Sequence, residues 1–406
     1  MVKPTAKFSF MEEYKTYKLS DLVDFQNGFA FKSTDFLCNG KYKIIRIKEL
    51  KNGLVKFFED TASVLSDPDE IMSKFLVNKG DVIFALTGDP VNKSNPNSWV
   101  GRVSLYTHNE TAYLNQRTCK LTNYRGVVPK YLYYFFRHYE NFYSLASKAT
   151  GSANQANIST KTLGETNVEL PSLKVQNKVV DIIYSLDSKI ELNRRINDNL
   201  EQQAQALFKS WFVDFEPFKG EKFVESQLGM IPKGWKVGTL SDLLDIRYGK
   251  DHKKLNDGNI PVYGSGGIMR LADGILYNGE SVLIPRKGTL NNVLYVNWPF
   301  WTVDTMFYSI EKVPNVAKYC HLLLSKLDLA SMNSGSAVPS MTTDILNKIQ
   351  VIVANQDVFS SFNECISSLY LKAKINLDEN KRLSETRDLL LPKLMSGRLI
   401  IKDLHS

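Results

Sequence analysis

Six short stretches of this chain recur in the same order in its two halves. LSDLVDFQNG at 19–28 returns as LSDLLDIRYG at 240–249. GDVIFAL at 80–86 returns as GESVLIP at 279–285, and VPKYLYYFF at 128–136 as VPNVAKYCHLL at 313–323. TGSANQANIS at 150–159 parallels SGSAVPSMTT at 334–343, and VELPSLKVQ at 168–176 parallels IQVIVANQ at 349–356. NRRINDNL at 193–200 matches NLDENKRL at 376–383 through Asn193 and Asn376, Asn197 and Asn380, Leu200 and Leu383. One such match is weak. Six in one order imply a duplication, and therefore two similar modules, each followed by the same closing element.

Inside each module, short β-like runs alternate with Gly, Asn and Pro turns: YKIIRI (42–47), DVIFAL (81–86), SVLIP (281–285) and NVLYVNW (292–298). A helix-like stretch, PKYLYYFFRHYENFYSLAS at 129–147, closes the first module. The closing elements read as long helices. Steps of four and three pass through Val179, Ile183, Leu186, Ile190, Asn193, Asn197, Leu200, Ala204, Leu207 and Trp211, a coiled-coil seam. The second seam runs Phe359, Phe362, Ile366, Leu369, Ala373, Asn376, Asn380, Leu383, Arg387, Leu390 and Leu394, and Pro392 is expected to kink or end it. Burying one such apolar side chain stabilises by about 1.5–3 kcal/mol, so the first seam supplies at most about 10–20 kcal/mol. Each helix is expected to pair antiparallel with the other. The turn before the second helix lacks the Pro-Leu of the first, which leaves its start open.

Asn is a poor helix former, yet it occupies two positions in the middle of each seam. Such a patch is either a short wet stretch or a set of buried amides that fix register and partner. On the second reading Asn193, Asn197, Asn376 and Asn380 align the two helices. Replacing Asn193 and Asn197 by Leu is then expected to leave the pair as stable or more stable but less uniquely aligned. An extra turn inserted after Trp211, taken as the end of the rod, is expected to move the second module outward without disturbing the seam.

The chain has 406 residues, more than one ordinary core holds, and 43% of them are apolar. Its formal charge of +8 has the sign a nucleic-acid partner requires. Cys38, Cys119, Cys320 and Cys365 are scattered, with no C-x-x-C, and the five His lack metal-ligand spacing. Neither a structural metal nor a disulfide framework is expected, and a reducing cytoplasm fits. MVKPTAKFSF carries no apolar secretion segment, and no apolar run is long enough to span a membrane.

The sequence carries no catalytic motif. PVYGSGGI (261–268) lacks the G-K-[ST] ending of a phosphate loop and reads as a turn. NPNSW (95–99) departs from the N-P-P-aromatic pocket of adenine methyltransferases, and no Gly-rich S-adenosylmethionine loop precedes it. Asp81 and Glu280, beside the repeated Gly, read as turn or capping carboxylates. There is no nuclease triple, Walker box or H-E-x-x-H. The chain reads as one that binds.

LPSLKVQNKVVDIIYSLDSKIELNRRINDNLEQQAQALFKSWFVDFEPF (170–218), NLDENKRLSETRDLLLPKLMSGRL (376–399), and the openings YKLSDL and GMIPKGWKVGTLSDLL resemble the specificity subunit of Type I restriction–modification systems. The resemblance covers nearly the whole chain, and the helical segments are its specific part. It implies an α+β fold with two similar mixed α/β target recognition domains joined by two long helices forming an antiparallel coiled coil. The expected boundaries are a tail at 1–13, the first recognition domain at 14–171, the central helix at 172–215 and a linker at 216–233. The second recognition domain follows at 234–354, the distal helix at 355–399 and a tail at 400–406. The resemblance further implies a non-catalytic subunit whose two domains each read half of a bipartite site in double-stranded DNA. Its helices would set the spacing and dock two modification (methyltransferase) subunits. S-adenosylmethionine, Mg2+ and ATP are expected on partner subunits, among them possible motor–nuclease subunits, and none in this chain.

Such a reader needs cations for phosphates and amides or guanidinium groups for base edges. In the first module NKSNPNSWVGR (92–102) offers Lys93, Asn95, Asn97 and Arg102. In the second, RYGKDHKK (247–254) and PRKGTLNN (285–292) offer Lys250, Lys253, Lys254, Arg286, Lys287, Asn291 and Asn292. GSANQAN (151–157) and GSAVPS (335–340) are expected to be similarly placed loops. Two rivals remain: a DNA methyltransferase or nuclease with a cryptic site, and a coiled-coil adaptor that binds only proteins.

Overall fold

Both modules open on the same helical turn, and a cap explains why. In LSDL the Asp lies three residues after the N-cap, where its carboxylate reaches back to the N-cap N–H. Lys18 N donates to Asp21 Oδ2 at 3.3 Å, and Thr239 N to Asp242 Oδ2 at 2.7 Å. That N–H from Thr239 holds the Asp242 carboxyl below the ordinary carboxylate range. The two Leu of each turn are buried.

The computed structural model describes residues 14–65, 67, 69–89, 99–152, 155–332 and 340–399. The chain divides into two compact units, residues 1–191 with 380–406, and residues 192–379. Their central strands share one topology. In the first unit Asp24–Asn27, Thr118–Thr122, Val82–Ala85 and Val103–Leu105 are successive antiparallel neighbours in one sheet. In the second, Leu244–Tyr248, Met306–Glu311, Ser281–Pro285 and Leu294–Val296 take the same order and sense. A smaller sheet sets Tyr42–Ile45 parallel to Ala112–Leu114 and antiparallel to Ser63–Val64. Its counterpart sets Ile260–Gly264 parallel to Trp301–Thr302 and antiparallel to Gly267–Ala272. Each module closes on itself: Lys15–Lys18 pairs with Asn167–Leu170, and Lys236–Thr239 with Gln350–Val353.

Gly28 and Gly249 occupy matching places for one reason. A Cβ on Gly28 would lie 2.1 Å from the Asn115 carbonyl oxygen, and one on Gly249 would lie 2.0 Å from that of Val303. Only Gly admits this strand crossing. The pairing also corrects the sequence alignment by one residue. Phe84 faces Cys119 and Ile284 faces Phe307, so Phe84 corresponds to Ile284 and not to Leu283. Both strands are buried on both faces, so no alternation of polar and apolar residues specified the register.

The central helix is Leu173–Phe212 and the distal helix Gln356–Met395. The start left open by the missing Pro-Leu is at Gln356. A Gln in the first turn ties each helix to its own module. The Gln176 carboxamide accepts from Val128 N at 2.9 Å and donates to Pro171 O at 3.0 Å, while Gln356 donates to Pro314 O at 3.0 Å. The helices pack antiparallel within each unit. In the first, Arg387 Nη1 donates to Asp187 Oδ1 at 2.8 Å. In the second, Trp211 packs on Phe362, with ring centroids 5.5 Å apart.

One expectation fails on the helices, and another is met only nearly. The distal helix passes Pro392 and ends three residues on, at Met395. Pro removes one backbone donor, so only a single further turn is built on it, with Ser396 N donating to Pro392 O at 3.1 Å. Trp211 is not the free end of a rod. Phe208 and Phe212 are buried in the second module's core, where Phe212 meets Tyr319 at 4.6 Å and Phe362 at 4.9 Å between ring centroids. An extra turn there would disrupt that core.

Candidate nucleic-acid interface

Loops at one end of the second unit bring most of its expected cations together. Lys250 has its backbone clamped, its N–H donating to Thr302 O at 2.8 Å and its carbonyl accepting from Trp301 Nε1 at 2.9 Å. The side chain is exposed. Asp251 then accepts from Lys253 N at 3.0 Å, which turns the chain and leaves Lys253 and Lys254 exposed. The same N–H holds the Asp251 carboxyl below its ordinary range. Arg286 is held in a strand-like bridge, its N–H donating to Thr305 O and its carbonyl accepting from Met341 N. Its guanidinium lies 5.4 Å from the centre of the exposed Tyr248 ring and donates to Asp304 O at 3.1 Å. Lys287 is exposed beside it.

The two amides of this loop serve the loop itself. Asn292 Nδ2 donates to Ser265 O at 2.8 Å, pinning the turn of the Ile260–Ala272 hairpin. Asn291 Nδ2 donates to Asp328 Oδ1 at 3.1 Å, and its Oδ1 accepts from Ala330 N at 3.0 Å. That amide holds the Asp328 carboxyl low.

In the first unit Lys93, Asn95 and Asn97 lie outside the described residues. Arg102 is half-buried, its guanidinium 5.2 Å from the centre of the Phe142 ring, and burial lowers its pKa from the ordinary guanidinium value. Of GSANQAN, residues 153 and 154 are outside the described set, and of GSAVPS only Ser340 is inside it. The first module's matching end carries residues the sequence reading missed. Gln116 and Arg117 are exposed on the turn that corresponds to Asp304–Thr305, as Gly28 N→Thr118 O and Gly249 N→Met306 O establish. Phe29, 37% exposed, packs edge-on against Phe31 and tilted against Phe75, and Lys74 Nζ lies 5.1 Å from the Phe75 ring centre. The available signal was the N-Q-R-T turn between two apolar strands.

The helix amides sit on the seam. Asn193 and Asn376 are 0% and 1% exposed. Asn193 Nδ2 donates to Glu379 Oε2 at 2.7 Å, Asn376 Nδ2 to Asn197 Oδ1 at 2.8 Å, and Asn197 Nδ2 to the Ala373 carbonyl at 3.1 Å. Asn380 is half-buried and belongs to the first unit.

The carboxylates considered for chemistry are structural. Asp81 accepts from Asn78 N at 2.9 Å, and Glu280 pairs with the buried Lys318 at 3.0 Å. The four cysteines are unbridged, and burial pushes the Cys119 thiol up to about 12, far from a reactive thiolate. Among the described residues no cluster of three metal-ligating side chains occurs, and no helix is long and apolar enough to cross a membrane.

The family model described as "Type I restriction modification DNA specificity domain" matches residues 11–202 and 232–357. Among similar proteins is the MjaIX Type I restriction enzyme specificity subunit of Methanocaldococcus jannaschii, 29% identical, covering 69% of this chain and 71% of that protein. The HindI specificity subunit of Haemophilus influenzae is 26% identical, covering 67% of this chain and 78% of that protein. A solved Type I restriction–modification S subunit from M. genitalium shares the fold, with TM-score 0.55 and 20% identity across 97% of this chain and 99% of that one.

Proposed function

The chain belongs to the Type I restriction modification DNA specificity domain family, and we propose that it is the non-catalytic DNA-reading subunit of a Type I restriction–modification complex. One observation carries the proposal furthest. The two modules repeat one arrangement of four central strands with a smaller sheet beside them, so the same loop end occurs twice. Two equivalent loop ends with different side chains are what a reader of a bipartite site needs. In the second module Lys250, Lys253, Lys254, Arg286 and Lys287 neutralise phosphates, while Asn291 and Asn292 act through the loop they hold. In the first, the exposed Gln116 and Arg117 take that part.

The duplication also gives two equivalent docking places for two modification subunits, which bring S-adenosylmethionine. Motor–nuclease subunits bring ATP and Mg2+. Exposed Leu192, Leu371, Ile375, Leu377 and Leu389 on the helices support such docking, since solvent alone does not favour them. Asn193, Asn197, Asn376 and Asn380 fix helix register, and the helices set the gap between half-sites.

The test is the salt dependence of DNA binding by the chain assembled with its modification subunit. About six phosphate contacts predict a roughly thousandfold loss of affinity between 50 and 200 mM salt. A flat response would favour a protein-only adaptor. Methyl transfer or cleavage by the purified chain alone, lost on mutating one of its own residues, would overturn the non-catalytic reading.

A further inference from the structure

The hairpin of the second unit breaks the rule that a sheet strand hides its apolar residues. Gly267–Ala272 is the outer strand of its sheet, and Ile268, Met269 and Leu271 are 60%, 58% and 37% exposed. An exposed apolar edge strand is normally covered, charged or shortened. The matching strand of the first unit, Ser63–Val64, is buried at both residues and bridged by Leu37 of its own chain. One fold position is thus covered by the chain in one module and bare in the other.

The bare strand lies among the cations. Its turn is pinned by Asn292 to the loop that carries Arg286 and Lys287. Ser265 Oγ would lie 2.8 Å from a Cβ on Gly288. Met269 packs over Gly264, which also faces Val303, and the Val303 carbonyl crosses Gly249 beside Lys250. At the tip, a Cβ on Gly266 would meet nothing within 4 Å, so packing does not demand that glycine, whereas Gly267, at φ 110°, is required by the turn. An apolar ridge with a side-chain-free tip, joined to the loops that carry Lys250, Arg286 and Lys287, fits a polyanion that itself displays small apolar groups. The major groove of DNA does so through the thymine C5-methyl.

Building on the DNA-reading function proposed above, we propose that Ile268 and Met269 are specificity-determining residues of the second module, packing on thymine methyl groups in its half-site. The test uses duplexes bearing the methylated motif of the host, with each thymine of the second half-site replaced in turn by uracil, which lacks only that methyl. The complex with the modification subunit is titrated with each duplex. The wild-type chain should lose roughly three- to tenfold in affinity at one or two positions, the range expected for one buried methyl. Ile268→Ala with Met269→Ala should bind thymine and uracil duplexes equally at those positions, with an unchanged melting temperature because both side chains are exposed. Wild-type indifference to uracil at every position, a variant that keeps the discrimination, or a second half-site without an A·T pair would each overturn the inference. Failure to bind any DNA would instead count against the DNA-reading function.

Discussion

Asn197 and Asn376 form a hydrogen-bonded pair on the helix seam, and this changes what replacing one of them does. The sequence pattern alone suggested that Leu at 193 and 197 would be neutral or stabilising. With Asn376 1% exposed and its amide given to Asn197, a lone Asn197→Leu leaves a buried donor unsatisfied. That costs about 1–3 kcal/mol. Asn197→Leu with Asn376→Leu removes both partners and should recover the loss or exceed wild type. Thermal melts of the two single variants and the double variant measure this, and strictly additive losses would show that the pair is not a unit. A second buried polar residue makes stability depend on pH. His321 Nδ1 hydrogen-bonds the Tyr370 hydroxyl at 2.7 Å, and burial lowers its pKa from 6.5 to about 4. The unfolded chain therefore binds a proton near pH 6.5 that the folded unit refuses until near pH 4. Stability is full above pH 6.5 and falls as pH drops toward 4, by about 3 kcal/mol at most. His321→Gln should flatten the melting temperature between pH 6.5 and 4.5. An unchanged acid slope would contradict that assignment.

At the scale of elements, the helices were legible because one four-and-three seam runs along nearly all of their 40 residues each. The buried strands were legible as strands but not in register, since residues apolar on both faces carry no period-two mark. Loop amides were the least legible. Asn291 and Asn292 stand beside Lys and Arg, as a base-reading amide would, yet both spend their donors on holding loops. Arg387 is the charged residue of the distal seam. It is answered by Asp187, which also accepts from Tyr134 Oη at 2.9 Å and Arg137 Nη1 at 3.1 Å. Because both helix ends are built into module cores, the seam tolerates lengthening only where both helices grow together. Seven residues inserted after Glu191 and seven after Glu379 would preserve the heptad phase and add about 10 Å. The account predicts that both half-sites persist while the gap between them widens by about three base pairs. A motif with an unchanged gap, read from methylated host DNA, would show that the helices do not set it.

For the molecule as a whole, duplication was the most legible feature, because it is written in residues that cap turns, cross strands and start helices. The matching ends of the modules were not legible as one place, since their residues come from distant stretches such as Gly28 with Asn115 and Gly249 with Val303. The central claim is that these ends are two independent readers. Each module closes on itself through its first and last strands, so residues 15–170 can be exchanged as a unit for the same module of a relative. The helix faces around Val179, Ile183 and Leu394, which join that core, must be matched in the donor. The measurement is the methylated motif of host DNA carrying the hybrid with its modification subunit. The account predicts that one half-site changes and the other stays as it was. A motif changed in both halves, or in neither, would contradict it.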